Sequence, residues 1–161
     1  MKTVIVYYSM GGNTAWAAGR LASRLGAELI ALQPRRAYPD KGFRKFLWGG
    51  KSAVMGETPA LEPCGFDAAQ YDRIILGTPL WAGRIAPPLR SFIAEQGGAL
   101  AGKSMAAFIC CGGGRTEKAF AQLRALLNRE LAAELWLVDP KDRPSPENET
   151  KLDAFCRALG A

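Results

Sequence analysis

Met1-Lys2-Thr3-Val4-Ile5-Val6-Tyr7-Tyr8-Ser9-Met10-Gly11-Gly12-Asn13-Thr14-Ala15-Trp16 decides the fold of this chain. Thr3 to Tyr8 is β-branched and aromatic, which reads as a strand buried on both faces. From Thr14 to Leu25 the apolar residues Ala17, Ala18, Leu21, Ala22 and Leu25 recur on one helical face, and Gly26 supplies the stop. Between strand and helix, Ser9, Met10, Gly11, Gly12, Asn13 and Thr14 combine hydroxyls, backbone N–H groups with little side-chain bulk and the positive end of a helix dipole. That combination suits an anion. The plainer reading of the same residues is a glycine-rich strand-to-helix turn.

Outward from this stretch, strand-like runs at Thr3–Tyr8, Ala27–Leu32, Asp72–Thr78, Lys103–Cys110 and Ala133–Val138 alternate with helix-like ones. Helices are expected at Thr14–Leu25, within Gly42–Met55, and at Pro87–Gln96, Thr116–Glu130 and Pro146–Leu159, the last started by Ser145 and Pro146. Alternation of this kind predicts an α/β fold. We expect one domain over residues 1–161, a three-layer αβα sandwich around a five-stranded parallel sheet of order 2-1-3-4-5. Each strand lacks clean polar alternation, so burial on both faces is expected throughout.

Composition narrows the chemistry. The chain has no histidine and its four cysteines show no CxxC spacing, which excludes the usual forms of Ser-His-Asp, Cys-His and zinc-finger chemistry. The N-terminal apolar run is strand-sized and lacks a cleavage pattern, so neither a signal peptide nor a membrane span is expected, and a cytoplasmic location is. The net charge of +6 is spread along the chain, with one cluster of Arg35, Arg36, Lys41, Arg44, Lys45 and Lys51. Such a cluster reads as a solvated face, and no nucleic-acid partner is expected.

Two further turns stand at predicted strand ends. One is Gly77-Thr78-Pro79-Leu80-Trp81-Ala82-Gly83-Arg84; the other is Cys110-Cys111-Gly112-Gly113-Gly114-Arg115-Thr116. In a sheet of order 2-1-3-4-5, both lie beside the first turn at the carboxyl edge, where such folds bind ligands. Cys110 and Cys111 read as small core and loop residues, since adjacent cysteines are poorly placed to bridge.

Ser9-Met10-Gly11-Gly12-Asn13-Thr14 resembles the phosphate loop of flavodoxins and the wider flavodoxin-like FMN-binding family, and the short connection from Asp139 to Ser145 after an uninterrupted Ala133–Val138 run is similar to its short-chain form. Thr78-Pro79-Leu80-Trp81 and the following Ala86–Phe92 are also similar to the third-strand loop and helix of that family. The resemblance implies FMN as cofactor, with Ser9, Met10, Gly11, Gly12, Asn13 and Thr14 around its phosphate. It also implies Thr78, Pro79, Leu80, Trp81, Ala82, Gly83, Cys111, Gly112, Gly113 and Gly114 around its ring system. Gly11 departs from the pattern, which has Ser or Thr there, so one hydroxyl contact is missing. The resemblance implies no catalytic acid or base and no metal. Low-molecular-weight tyrosine phosphatases share the strand order, but they place five residues between cysteine and arginine after the first strand; here four separate Cys110 from Arg115 after the fourth.

The resemblance implies an electron carrier serving redox partner proteins. Two other functions stay open: an FMN-dependent NAD(P)H:acceptor oxidoreductase of quinone type, using the long Gln33–Tyr71 segment with Arg35, Arg36 or Arg84, and an interaction module of this fold without cofactor. Trp81 reads either as a flavin-stacking ring or as a shield against water. Arg84 and Arg115 in the ring-flanking turns predict a less negative second reduction potential than in acidic flavodoxins. Trp48-Gly49-Gly50-Lys51 reads as a helix end carrying a packing tryptophan, with a flap or docking element as the functional alternative.

Overall fold

Successive side chains of a strand point to opposite faces, and in the three central strands both sets are apolar. β1 (Thr3–Tyr7) sends Val4 and Val6 one way and Ile5 the other; β3 (Arg73–Trp81) divides Ile74 and Leu76 from Ile75; β5 (Ser104–Cys111) divides Met105, Ala107 and Ile109 from Ala106 and Phe108. Helices must therefore cover both sides. α3 (Pro87–Gln96) and α4 (Glu117–Leu127) cover one with Leu89, Phe92, Phe120 and Leu123. α1 (Asn13–Leu25) and α5 (Pro146–Ala158) cover the other with Ala17, Leu21, Leu152 and Phe155. The computed structural model describes residues 1–39 and 43–161.

The sheet runs β2-β1-β3-β5-β6, with β2 at Glu28–Ala31 and β6 at Glu134–Val138, and all neighbours on this path are parallel. This is the expected order, with one addition. β3 does not end at Thr78 but continues to Trp81, turns through Ala82 and Gly83, and pairs antiparallel with β4 (Arg84–Ile85). Among the described residues the sheet thus has six strands, not five. Both turn residues have positive φ, 49° at Ala82 and 74° at Gly83, which is the primed turn that matches the twist of a two-residue hairpin. Glycine and proline around residues 77–83 suggested a loop, but Pro79 sits in the strand opposite Cys110.

Burial on both faces holds for β1, β3 and β5 and fails at the edges. β2 is largely exposed, Leu29 included, and β6 buries Leu135 and Leu137 while Trp136 stands 42% exposed. The central strands have helices packed across both faces, so residues on both sides of their middle stretches are buried. At the strand centre, Gly77 lies between Tyr7 and Phe108, and a Cβ there would meet the Phe108 ring. The glycine lets a phenyl ring lie across the sheet.

The long connection between β2 and β3 starts and ends side by side: Pro34 bridges Leu61, and Glu62 N–H donates to the Gln33 carbonyl at 2.8 Å. It carries α2 (Phe43–Met55) out over the carboxyl edge. Lys41 and Gly42 of the expected basic cluster and helix start lie outside the described residues, as do the side chains of Arg44 and Lys45. At the helix ends, Gly26 adopts φ 61° and Ser145 Oγ accepts from Asn148 N–H at 3.1 Å, as their residue types dictate.

Candidate functional site

From β1 the chain crosses one face of the sheet through α1 to β2; from β3 it crosses the other through α3 to β5. The divergence leaves a crevice at the carboxyl ends of β1 and β3, where doubly wound sheets hold ligands. A cleft of about 370 Å³ lies there, a size within the range of small-molecule sites. Its walls come from the β1–α1 turn, the end of β3 with its hairpin, the end of β5, the start of the β6–α5 loop and α2.

One end of the cleft is the α1 N-terminus. Gly12 is the N-cap with φ 95°, no side chain caps it, and the first turn holds no acidic residue. Ser9 Oγ accepts from Ala15 N–H at 3.1 Å, while the Asn13 and Thr14 N–H groups have no acceptor among the described residues. Free N–H groups, a helix dipole and a first turn without acidic residues make this a donor set for a negative ligand group.

The neighbouring side chains are arranged less simply than their types suggest. Asn13 does not aim its amide at the cleft end: its Oδ1 accepts from Lys141 N–H at 2.8 Å and Asp142 N–H at 3.3 Å, and its Nδ2 donates to Asp142 Oδ2 at 2.8 Å. The amide ties the β6–α5 loop to the helix start. Its backbone N–H is what remains for a ligand. Thr14 is buried, with its hydroxyl beside the Cys110 thiol. Burial pushes that thiol up to about 12, against the hydrogen bond from Thr14, so Cys110 stays protonated and unreactive at neutral pH. Cys111 is likewise buried and unbridged.

The other end is aromatic and tightly packed. The Trp81 ring meets Tyr8 at 5.6 Å and Tyr38 at 5.1 Å, both edge to face. Gly49 approaches the same ring so closely that a Cβ would lie 3.2 Å from it, and a Cβ at Gly50 would lie 3.7 Å from Ala82. Two consecutive glycines inside a helix cost about 1 kcal/mol each relative to alanine. Here they let α2 lie against the hairpin and bring Gly50 into the cleft wall. Trp48-Gly49-Gly50-Lys51 is therefore a helix interior rather than a helix end, with Trp48 53% exposed on its outer side. Burial of Tyr8, with Tyr38 nearby, holds its phenol well above the usual range, so it stays neutral beneath the tryptophan.

Of the residues expected at the site, Met10, Gly11, Asn13, Thr14, Pro79, Leu80, Trp81, Ala82, Cys111 and Gly112 line the cleft. Others stand behind it. Ser9 caps α1, Gly12 forms the cap itself, and Gly83 completes the hairpin turn. Thr78 is fully buried, accepting from Ala86 N–H at 3.0 Å and donating to the Pro79 carbonyl, so it braces the start of α3 instead of facing a ligand. Gly113 supplies a turn at φ 113°, and Gly114 makes room for Leu80, whose Cδ2 would lie 3.1 Å from a Cβ there. Neither Arg84 nor Arg115 lines the cleft.

The structure adds Gly50, Cys110 and Asp139 to the walls. Asp139 follows β6 with φ 35°, a conformation aspartate tolerates better than most residues. Its N–H donates to the Cys111 carbonyl at 2.9 Å, and its carboxylate lies 3.6 Å from Arg143 Nε. The sequence signal for it was its place immediately after a strand at the carboxyl edge. Lys141 had no such signal. Its Nζ lies 3.5 Å from the Gly11 carbonyl and only 2.9 Å from where a Gly12 Cβ would be.

A parallel sheet of this order, helices on both faces and a cleft at the switch point define a flavodoxin-like flavoprotein fold. The chain belongs to the flavodoxin domain family, whose model matches residues 51–140, more than half of the sequence. That match takes in the hairpin, the β5 turn and Asp139, and stops short of the β1–α1 turn. Among solved structures, a flavoprotein from Lactobacillus acidophilus NCFM in complex with FMN is 18% identical, covering 96% of this chain and 97% of its own, with a TM-score of 0.76. Two-electron reduced flavodoxin from Megasphaera elsdenii is 18% identical over 97% of this chain and 96% of its own, with a TM-score of 0.63. Oxidised flavodoxin 1 from Bacillus cereus is 19% identical over 99% and 97%, with a TM-score of 0.56. At such identities the likeness is one of fold. No helix among the described residues is long and apolar enough to cross a membrane.

Proposed function

We propose that the protein binds FMN in this cleft and carries electrons between redox partner proteins. The observation that carries the reading is the pairing of a helix N-terminus, whose Asn13 and Thr14 N–H groups have no acceptor among the described residues and whose first turn holds no acidic residue, at one end of the cleft with the aromatic wall of Trp81 at the other. A flavin 5′-phosphate has an anion and a planar ring in that relation. Its phosphate would accept from the Asn13 and Thr14 N–H groups, and its ring would lie among Pro79, Leu80, Trp81, Ala82, Cys111 and Gly112. The solved complex of the Lactobacillus acidophilus neighbour with FMN supports the choice of flavin.

Bound FMN supplies one- and two-electron chemistry. The chain's part is to orient it and to keep water from it. Trp81, held by Tyr8, Tyr38 and Gly49, forms a rigid apolar side; the protonated Cys110 thiol adds no charge beneath the cleft. No specific observation favours the oxidoreductase reading. Arg35, one of its candidate residues, instead braces the α2 excursion, with its Nε donating to the Leu61 carbonyl at 3.3 Å.

Fluorescence titration of the purified protein with FMN, riboflavin and FAD tests the cofactor, and anaerobic photoreduction followed by NADPH addition tests the role. FMN binding with stepwise one-electron reduction and no bleaching by NADPH alone is the expected result. Rapid bleaching by NADPH turns the reading to the oxidoreductase, and failure to bind any flavin overturns it.

A further inference from the structure

Lys141 belongs to the loop after β6, far from the β1–α1 turn in sequence, yet its side chain lies across that turn. The Cδ and Nζ atoms would be 3.2 and 2.9 Å from a Gly12 Cβ, so the stem lies on the bare backbone face that glycine leaves open. For its ammonium the described residues offer one protein acceptor, the Gly11 carbonyl at a long 3.5 Å, and no carboxylate within salt-bridge distance. Asp142, its neighbour in sequence, accepts from Asn13 Nδ2. An ammonium has three protons to donate, so this one retains donor capacity at the cleft end.

Its position is held from the backbone outward. The Asn13 side chain takes the Lys141 and Asp142 N–H groups and gives a proton to the Asp142 carboxylate, fastening the loop to the first residue of α1. The same residue therefore presents its own N–H to the cleft and fixes where the lysine starts. Gly11 and Gly12 have no side chains and Thr14 turns toward Cys110, so besides the Ser9 hydroxyl, which accepts from Ala15 N–H and keeps its proton to donate, side-chain donors to an anion are few.

We propose that Lys141 is the phosphate-selecting residue of the cleft: its ammonium pairs with the flavin 5′-phosphate, making the site specific for the phosphorylated flavin, and Asn13 is its positioning residue. The inference rests on the FMN reading above and adds what that reading lacks, a cationic side chain at the anion end. Charge-assisted hydrogen bonds to phosphate exceed neutral ones, and an exposed pair of this kind weakens with salt.

The test compares FMN with riboflavin, which has the same ring and no phosphate. Dissociation constants for both are measured by flavin fluorescence at low and high ionic strength in wild type, Lys141→Met, Lys141→Arg and Asn13→Ala, with far-ultraviolet dichroism to verify folding. Lys141→Met is expected to weaken FMN about tenfold, leave riboflavin within about twofold and flatten the salt dependence of FMN binding. Lys141→Arg is expected to retain FMN selectivity. Asn13→Ala is expected to lose part of that selectivity, and the double variant to lose less than the sum of the two, because one residue acts through the other. If wild type binds FMN and Lys141→Met leaves the FMN-to-riboflavin ratio unchanged, or weakens both ligands alike, the lysine is not a phosphate selector. If wild type binds no FMN, the functional reading fails and takes this inference with it.

Discussion

The two ends of the cleft are built on opposite principles. The anion end is a contiguous turn, residues 9–14, whose donors are backbone groups at a helix start; one distant loop is tied to it by a single asparagine. The aromatic end is assembled from Tyr8 just after β1, the segment before α2, the interior of α2 and the β3–β4 hairpin, and its order comes from side-chain packing around Trp81. A contiguous turn inherits its geometry from local backbone preferences. A packed wall depends on the whole fold being in place. The two ends should therefore respond to substitution in distinguishable ways, with FMN and riboflavin as the paired probes.

The largest effect is expected at the anion end. In Gly12→Val the new Cβ is strained at φ 95° and meets Lys141, so the turn can no longer present its N–H groups. Left-handed strain of about 1–2 kcal/mol and the lost phosphate contacts should weaken FMN about a hundredfold while riboflavin changes little. An equal loss for riboflavin, measured by the same fluorescence titration, would erase the distinction between the two ends.

Trp81→Ala should do the reverse. Removing the half-buried ring is expected to lower stability by about 2 kcal/mol in urea unfolding and to weaken both flavins about tenfold, with their ratio intact. A loss confined to FMN would place the ring elsewhere. Gly49→Ala probes the same wall more gently. Its Cβ, 3.2 Å from the Trp81 ring, requires a small shift that offsets the roughly 1 kcal/mol helix propensity gain. Stability should stay within about 1 kcal/mol of wild type while the tryptophan emission and both flavin affinities move by a fewfold factor.

The smallest effect concerns the packing of α5 on α1. Arg24 reaches Glu149 and Asp153 at 2.7 and 3.0 Å, and Arg20 reaches Glu149 at 2.9 Å. Partial burial works against the Glu149 charge, but the two arginines outweigh it and hold the carboxyl below its ordinary value. A lowered folded-state value adds stability above the unfolded value of about 4.3, and that contribution is lost as pH falls through the folded one. Arg24→Ala should therefore cost about 0.5 kcal/mol near neutral pH and show a shallower acid loss than wild type below about pH 5. Neither flavin affinity should change, since none of Arg20, Arg24, Glu149 and Asp153 lines the cleft.

Most of the fold was legible because it rests on short-range patterns. Apolar runs of strand length, a helix face at Ala17, Ala18 and Leu21, a stop at Gly26 and a start at Ser145 each act within a few residues. What misled was chemistry that means two things. Pro79 and Gly83 suggested a loop, although proline can sit in a strand and glycine can close a hairpin. Thr78 looked like a cleft hydroxyl and braces a helix; Gly49 and Gly50 looked like a helix end and are a seat for an aromatic ring.

By itself, the sequence determined the α/β alternation, which follows from local propensity and the pleat of a strand; the strand order was legible through the resemblance to flavodoxins, and residues 9–14 were legible as a glycine-rich turn between a buried strand and a helix start. Tertiary structure alone decided that Asn13 holds a loop, that Lys141 lies over Gly12, that Asp139 joins the wall and that Arg84 and Arg115 do not. Those outcomes depend on which side chains meet across more than a hundred residues of chain, and such meetings are set by packing of the whole, which no local pattern encodes.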